Sequence, residues 1–310
     1  MNEADRPTTE QPRSTAGHPR AGFLLGLGAY ALWGVLPLYF KAIAAIAAVD
    51  IVAHRVLWSL PFLVVLITLA RGWPDVRAVM RDRRTLGVLT LTAVLIGGNW
   101  LLYVYAVTSG HILAASFGYY LNPLANVLLG RFVLKERLGP LQWAAVAIAA
   151  AGISVLAAGA LNQLWISLTL CASFAVYGLL RKVVAADAVT GLGVETALLF
   201  PLALGWFAWR VSSGAPVFGA TPSHHALLVL AGIVSTTPLL LFTAAARRLP
   251  YSTLGMLQFL APTLQFLIAV LLYNEPFGRL QALAFVAIWS ALALYIVALL
   301  RAPRLPQPPE

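Results

Sequence analysis

Long apolar runs, each separated from the next by a short polar or charged stretch, repeat along the chain between residues 21 and 300. A helix that crosses a bilayer core takes about 20 mostly apolar residues, within a range of roughly 17–25. Ten segments come close to that length: 21–40, 50–70, 85–106, 111–131, 140–159, 163–180, 191–210, 225–245, 251–273 and 279–300. They predict an all-α integral membrane protein with ten transmembrane helices. The starts of the second and seventh segments are the least sharply drawn, because Asp50, His54 and Arg55 fall in the one and Glu195 in the other.

The pattern also repeats at long range. Gly-Tyr-Tyr-Leu-Asn-Pro at 118–123 is followed by Glu136, Gly139, Leu141 and Gln142; Gly-Met-Leu-Gln-Phe-Leu-Ala-Pro at 255–262 is followed by Glu275, Gly278, Leu280 and Gln281. Pro, Glu, Gly and Gln recur at a constant offset of 139 residues. A fainter echo links Tyr30-Ala-Leu-Trp-Gly34 to Phe174-Ala-Val-Tyr-Gly178 at an offset of 144. A duplicated membrane unit is the economical explanation. It divides the chain into a first five-helix repeat over 21–159 and a second over 163–300, flanked by polar segments 1–20 and 301–310 that are expected to be disordered. Residues 1–20 lack the apolar core of a signal peptide, so the first apolar segment is expected to be retained as a helix.

Composition changes the picture only by removing alternatives. A soluble domain usually carries about 25–35% charged residues on its surface, whereas this chain is 10% charged and 60% hydrophobic with a mean hydropathy of +0.84. The net charge of +10 comes from short basic clusters between apolar spans, with no aromatic-basic interleaving, and does not point to nucleic acid. Those clusters orient the chain by the positive-inside rule. With both termini cytoplasmic, 17 of the 21 Lys and Arg fall on the inner side, and only Lys41, Arg55, Arg210 and Arg279 fall toward the outside. An odd number of helices per repeat then makes the second copy enter from the opposite face, so the repeats are inverted. The 71–84 loop is expected inside and the 211–224 loop outside. Cys171 can make no internal disulfide, being the single cysteine.

Polar residues inside the spans are the functional candidates, since each needs an internal partner or a water-filled path. Pro123 and Pro262 sit near the middle of the fourth and ninth segments and predict bends at equivalent depths. Tyr119, Tyr120 and Asn122 lie beside the first, and Gln258 and Phe259 beside the second. Asn99 follows Gly97 and Gly98, with Tyr103 one turn on; Tyr30 and Trp33 lie on the first helix. Each either lines a central cavity or bonds to neighbouring helices, with an interfacial aromatic belt as the alternative for Tyr30 and Trp33, and the sequence allows both. Arg55 either faces such a path or snorkels to the surface, with Asp50 and Glu195 as available counter-charges. Glu195 has a second use, favouring the N-terminal dipole of its helix. Glu136 and Glu275, matched across the repeat, fit terminal salt bridging or gating. His54, with an ordinary pKa near 6.5, is the one member of the His54–Arg55 pair that gives a physiological pH response, which makes protons a candidate coupling ion.

No phosphate loop, H-E-x-x-H pair, metal-ligand cluster or nucleophile–base pair stands out, and the adjacent His224 and His225 lie in a polar loop. An enzyme, a cofactor, a metal and direct ATP-driven pumping are all unsupported by the residues.

Several stretches together resemble a known family: Tyr30-Ala-Leu-Trp-Gly-Val-Leu-Pro-Leu-Tyr-Phe-Lys41, Ala53-His-Arg-Val-Leu-Trp-Ser59, Asn99-Trp100, Ala115-Ser-Phe-Gly-Tyr-Tyr-Leu-Asn-Pro123, Glu136-Arg-Leu138, Glu195-Thr196, Thr237-Pro-Leu239 and Pro262-Thr263. They are similar to RarD-type proteins of the EamA branch of the drug/metabolite transporter superfamily, with Asp50 where Glu is common and Phe117 where Leu is common. The resemblance implies a bacterial inner-membrane permease of two five-helix repeats and assigns no residue a role. The expected function is secondary transport, in the export direction, of a small amphipathic metabolite or drug, with the lipid bilayer and a solute as partners. A nonenzymatic membrane subunit handling lipid-linked material is the alternative. Oligomeric state, physiological substrate and coupling ion are left open by the residues.

Overall fold

The computed structural model describes residues 19–108, 112–157, 164–219, 221–273 and 278–301. The expected disordered segments, apart from residues 19, 20 and 301, and Glu275 lie outside them. The described chain is all-α: α1 Pro19–Ala42, α2 Ala48–Leu69, α3 Trp73–Arg81, α4 Arg83–Thr108, α5 Ile112–Phe132, α6 Pro140–Ala157, α7 Leu164–Val183, α8 Ala188–Ser212, α9 Pro222–Ala246, α10 Tyr251–Leu257, α11 Leu260–Leu267 and α12 Arg279–Arg301. Among the described residues, 8 helical stretches are long and apolar enough to cross a membrane, and Pro140–Val155 is a shorter apolar helix. Large apolar side chains such as Leu24, Leu202, Leu271 and Leu300 face outward, the pattern of a fold whose solvent is lipid.

The helix ends follow local chemistry. Asp187 caps α8 by accepting from the backbone N–H groups of Val189 (2.8 Å) and Thr190 (3.0 Å). Burial opposes charge on Asp187, yet these bonds and the nearby Arg181 outweigh it and hold the carboxyl below its usual range. Asp82 closes α3 and opens α4, its carboxylate accepting from Thr85 Oγ1 and from the Arg84 N–H. Between α2 and α4, α3 is a short amphipathic helix with Pro74 in its first turn and Arg81 in its last. It lies inside the stretch read from the sequence as a polar loop, and Val79 inserts among Leu89, Val184, Ala186 and Val194.

Where a bend was expected near Pro262, the ninth apolar segment is broken instead. Proline clashes with the carbonyl four residues back, here that of Gln258, and α10 gives way to α11 at Gln258–Phe259. A π-helical turn, Ile268–Leu272, follows. The matching Pro123 stays inside an unbroken α5. Proline alone does not dictate the break, since Pro37, Pro61, Pro201 and Pro238 also sit inside continuous helices.

Helix pairings carry the signature of an internal repeat. Mapping α1, α2, α4, α5 and α6 onto α7, α8, α9, α10–α11 and α12 turns each principal pairing into another that is present. The α5–α7 pairing becomes α1–α11, α1–α9 becomes α4–α7, and α2–α9 becomes α4–α8. The α2–α8, α5–α10 and α6–α12 pairings map onto themselves.

Candidate functional site

Most polar residues of the spans sort into a central cavity, two ion pairs, one of them fully buried, and a helix cap. The cavity, of about 320 Å³, is lined from α1 by Tyr30, Trp33, Leu36, Pro37 and Phe40, from α2 by Arg55, and from α4 by Ile96, Asn99, Trp100 and Tyr103. The other elements add Tyr119, Tyr120, Phe174, Ser235, Leu239, Gln258, Ala261, Pro262 and Gln265. It lies where the two halves meet, toward the end of the bundle at which α1 finishes and α2 begins.

Helices α2 and α9 touch backbone to backbone, Gly232 lying against Trp58 and Ser59. Across this seam Thr236 donates to Ser59 Oγ (2.6 Å), and Ser59 reaches the Gly232 carbonyl (3.3 Å). The close approach brings Ser235 to Arg55, whose Nε donates to Ser235 Oγ at 2.7 Å while its guanidinium lies 4.3 Å from the centre of a Trp100 ring.

Asn99 bonds on both sides. Its Nδ2 donates to the Leu170 carbonyl (2.9 Å) and Ser173 Oγ (2.8 Å), and its Oδ1 accepts from Tyr119 (3.2 Å). It thus joins α4 to α7 and fixes the Tyr119 hydroxyl at the cavity wall. Gln258, set at the break between α10 and α11, accepts from Asn126 (2.9 Å). Gln265 donates to the Trp33 carbonyl (3.0 Å). Trp33 packs on Tyr30, Phe174 and Phe242 with ring centres 5.7–5.9 Å apart.

That aromatic cluster closes the other end of the bundle. Tyr30, Tyr177, Phe242 and Tyr251 are fully buried, and Tyr251 donates to the Ala175 carbonyl at 2.7 Å. Beyond it, Lys182 donates to the Ala246 and Leu249 carbonyls and Arg247 to those of Val184 and Ala186. Glu136, expected in a terminal salt bridge or gate, forms neither of the two ion pairs among the described residues. Its carboxylate caps α10 instead, accepting from the N–H groups of Tyr251 and Ser252 and from Ser252 Oγ. The free N–H groups of a helix start, four residues outside any ladder, explain the match.

Adjacent residues on α2 part company. His54 is fully buried outside the cavity lining, between Phe207 and Phe218 at 4.7 and 4.9 Å. Its Nε2 bonds the Val217 carbonyl (2.8 Å) and its Nδ1 accepts from Trp58 (3.3 Å). Neither candidate counter-charge meets Arg55. Asp50 pairs with Arg210 at 3.0 Å and accepts from Trp206 at 2.9 Å. Glu195 lies two turns inside α8, not at its start, and pairs with Arg181 of α7 at 3.5 Å. Thr92 and Tyr177 both donate to the Glu195 carboxylate. Asn122 is buried away from the cavity lining, and its amide has no hydrogen-bond partner among the described residues.

The structure therefore brings Tyr30, Trp33, Arg55, Asn99, Tyr103, Tyr119, Gln258 and Pro262 together and leaves His54, Asn122, Pro123 and Glu195 outside the lining. Sequence reasoning missed Phe40 and Gln265 as wall residues, and Phe259, expected beside Gln258, is buried outside the lining. The constant repeat offset was one available signal, since it carries Gln265 onto Asn126, the partner of Gln258.

The EamA-like transporter family matches residues 20–158 of this chain. A Vibrio cholerae protein named "Uncharacterized transporter" is 45% identical over 91% of this chain and 94% of its own length. Escherichia coli "Protein RarD" is 44% identical over 91% of this chain and 96% of its own. A Pseudomonas aeruginosa "Chloramphenicol-sensitive protein RarD" is 36% identical over 88% and 92% respectively. One solved crystal structure superimposes with a TM-score of 0.71 at 20% identity, covering 93% of this chain and 100% of that one, a likeness of fold.

Proposed function

The chain belongs to the RarD-type group of the EamA-like transporter family, and from that footing we propose how it works: alternating access of a small amphipathic solute to the cavity between two inverted five-helix repeats. It is a secondary, multi-pass membrane transporter and not an enzyme. The observation that carries the mechanism is the position of the cavity. It sits between the halves with its lining set toward one end of the bundle, while the Tyr30–Phe242–Tyr251 cluster and the carbonyl-bound Lys182 and Arg247 pack the other.

Ten membrane crossings, with α10 and α11 together forming the ninth, fit the exchangeable helix pairings. Inverted repeats are able to trade shapes, and the trade moves the opening from one membrane face to the other. The domains on this reading are 21–159 and 163–300. The positive-inside bias puts both termini in the cytoplasm of a bacterial inner membrane, so the cavity described above is the outward-facing one. Protons as coupling ion would need a titratable group on the path; His54, the one expected, bonds Val217 and Trp58 instead of lining the cavity.

Two measurements test this. In proteoliposomes the protein is expected to accelerate flux of at least one member of a panel of amphipathic metabolites and antibiotics, saturably. Ala261→Phe, which fills the cavity wall, is expected to reduce that flux about tenfold or more. Flux equal to empty vesicles across the panel would remove the transport mechanism. Cysteine labels in intact cells are expected to react with impermeant reagent at 211–219 and not at 71–84; the reverse pattern would overturn the orientation.

A further inference from the structure

Building on the transport reading, we propose that the cavity recognises an organic monoanion: a carboxylate seated on Arg55, attached to a flat aromatic body and bearing no cationic group.

Among the described residues the cavity lining holds one fixed charge. Arg55 is the only Asp, Glu, Lys or Arg among its described lining residues, and the described acids that could neutralise it are committed elsewhere. Asp50 is held by Arg210, Glu195 by Arg181, and Glu136 by the start of α10. A guanidinium inside a membrane bundle is costly unless something neutralises it. The side chain is also held in one pose: Nε is spent on Ser235 and one face lies over Trp100. The two terminal nitrogens have no hydrogen-bond partner among the described residues, and neither is sealed from the cavity. A planar fork of free N–H groups fixed at the wall is a carboxylate receptor.

The rest of the wall sets the body. Trp33, Trp100, Tyr103 and Tyr119 make the wall aromatic, with the Tyr103 and Tyr119 rings 5.6 Å apart. A cavity of about 320 Å³ lies at the small end of ligand sites, which run from roughly 300 to 1,000 Å³, so one ring with a short acidic arm fits. Among the described residues no carboxylate lines the cavity to receive an ammonium group. A zwitterionic amino acid would therefore leave its cation unpaired, which separates this ligand class from amino acids.

The test is competition against radiolabelled 3-phenylpropionate on purified protein in lipid nanodiscs. Unlabelled 3-phenylpropionate is expected to compete at least about tenfold better than its neutral amide, than phenylalanine and than phenethylamine, since a hydrogen bond to a charged group is worth roughly 1.5–3 kcal/mol. Chloride and inorganic phosphate are expected to compete poorly, because neither has a body for the aromatic wall. Arg55→Gln is expected to lose the preference for the acid over the amide, and Arg55→Lys to keep part of it. Equal competition by amide and acid, better competition by phenylalanine, or displacement by inorganic anion alone would overturn the proposal. These wild-type comparisons decide the matter even where Arg55→Gln fails to fold. Neutral solutes carried saturably while the acid neither binds nor moves would sink the anion assignment and leave transport standing. Tight acid binding without flux of any panel member would do the opposite.

Discussion

Gly232→Leu is expected to abolish recovery of folded protein from the membrane. A side chain at this position has nowhere to go: its Cβ would fall against the carbonyl of Trp58 and 2.7 Å from the Ser59 nitrogen. Those are backbone atoms, so relief requires moving α2 away from α9. The move would break the Thr236–Ser59 and Ser59–Gly232 bonds and detach Arg55 from Ser235. Overpacking a well-filled site costs about 1–3 kcal/mol, and more where backbone must shift. Gly205→Leu is the control, because a Cβ there meets nothing within 4 Å. Size-exclusion profiles and thermal inactivation midpoints provide the measurement. A Gly232→Leu protein as monodisperse and as heat-resistant as the Gly205→Leu protein would show that the seam is not closed as described.

That seam illustrates what the residues alone do and do not reveal. The helix boundaries are legible because leaving apolar residues for charged ones is abrupt at each end; α1, α2, α4, α8, α9 and α12 all begin within about three residues of the expected apolar segments. The amphipathic α3 is not legible by that signal, since its apolar content is low and its one buried residue, Val79, is recognised only through partners on α4, α8 and the connection between α7 and α8. Nor does hydropathy distinguish Gly232 from Gly205, because their difference is which helix stands opposite.

The candidate site was legible as a set of residue types, not as a set of contacts. Arg55 and His54 read as one cluster, yet successive helical residues point about 100° apart, which sends one to the cavity and the other to Val217 and Phe218. Glu136 read as a helix-end charge, and its true partner, the start of α10, lies 115 residues away in sequence. Repeat symmetry was the stronger guide, because it predicts that a pairing in one half has a counterpart in the other, and the principal helix pairings obey it.

The Glu195–Arg181 pair yields the second large effect, and here the direction of the change depends on how many partners are removed. Arg181 is fully buried and Glu195 is 1% exposed. Arg181 Nη2 donates to the carbonyls of Asp187 and Ala188, while its Nε and Nη1 have no hydrogen-bond partner among the described residues. Charge compensation for the guanidinium therefore rests chiefly on the carboxylate 3.5 Å away, with the Asp187 carboxylate a second, weaker contributor. Glu195→Leu strands a positive charge in the bundle and is expected to cost about 3–5 kcal/mol, whereas replacing both members of a buried pair by apolar residues is often neutral or stabilising. The double variant Glu195→Leu/Arg181→Met is accordingly expected to recover most of the thermal resistance that the single variant loses. Thr92 and Tyr177 lose their acceptor in both variants, so recovery in the double isolates the stranded charge as the cause. A single variant as resistant as the wild type, or a double variant no better than the single, would refute this account of the pair. Flux measured on the recovered double variant then separates two roles that stability alone confounds. Unchanged transport makes the pair a tie between α7 and α8, and a folded protein that binds solute without moving it makes the pair part of the rearrangement that opens the packed end.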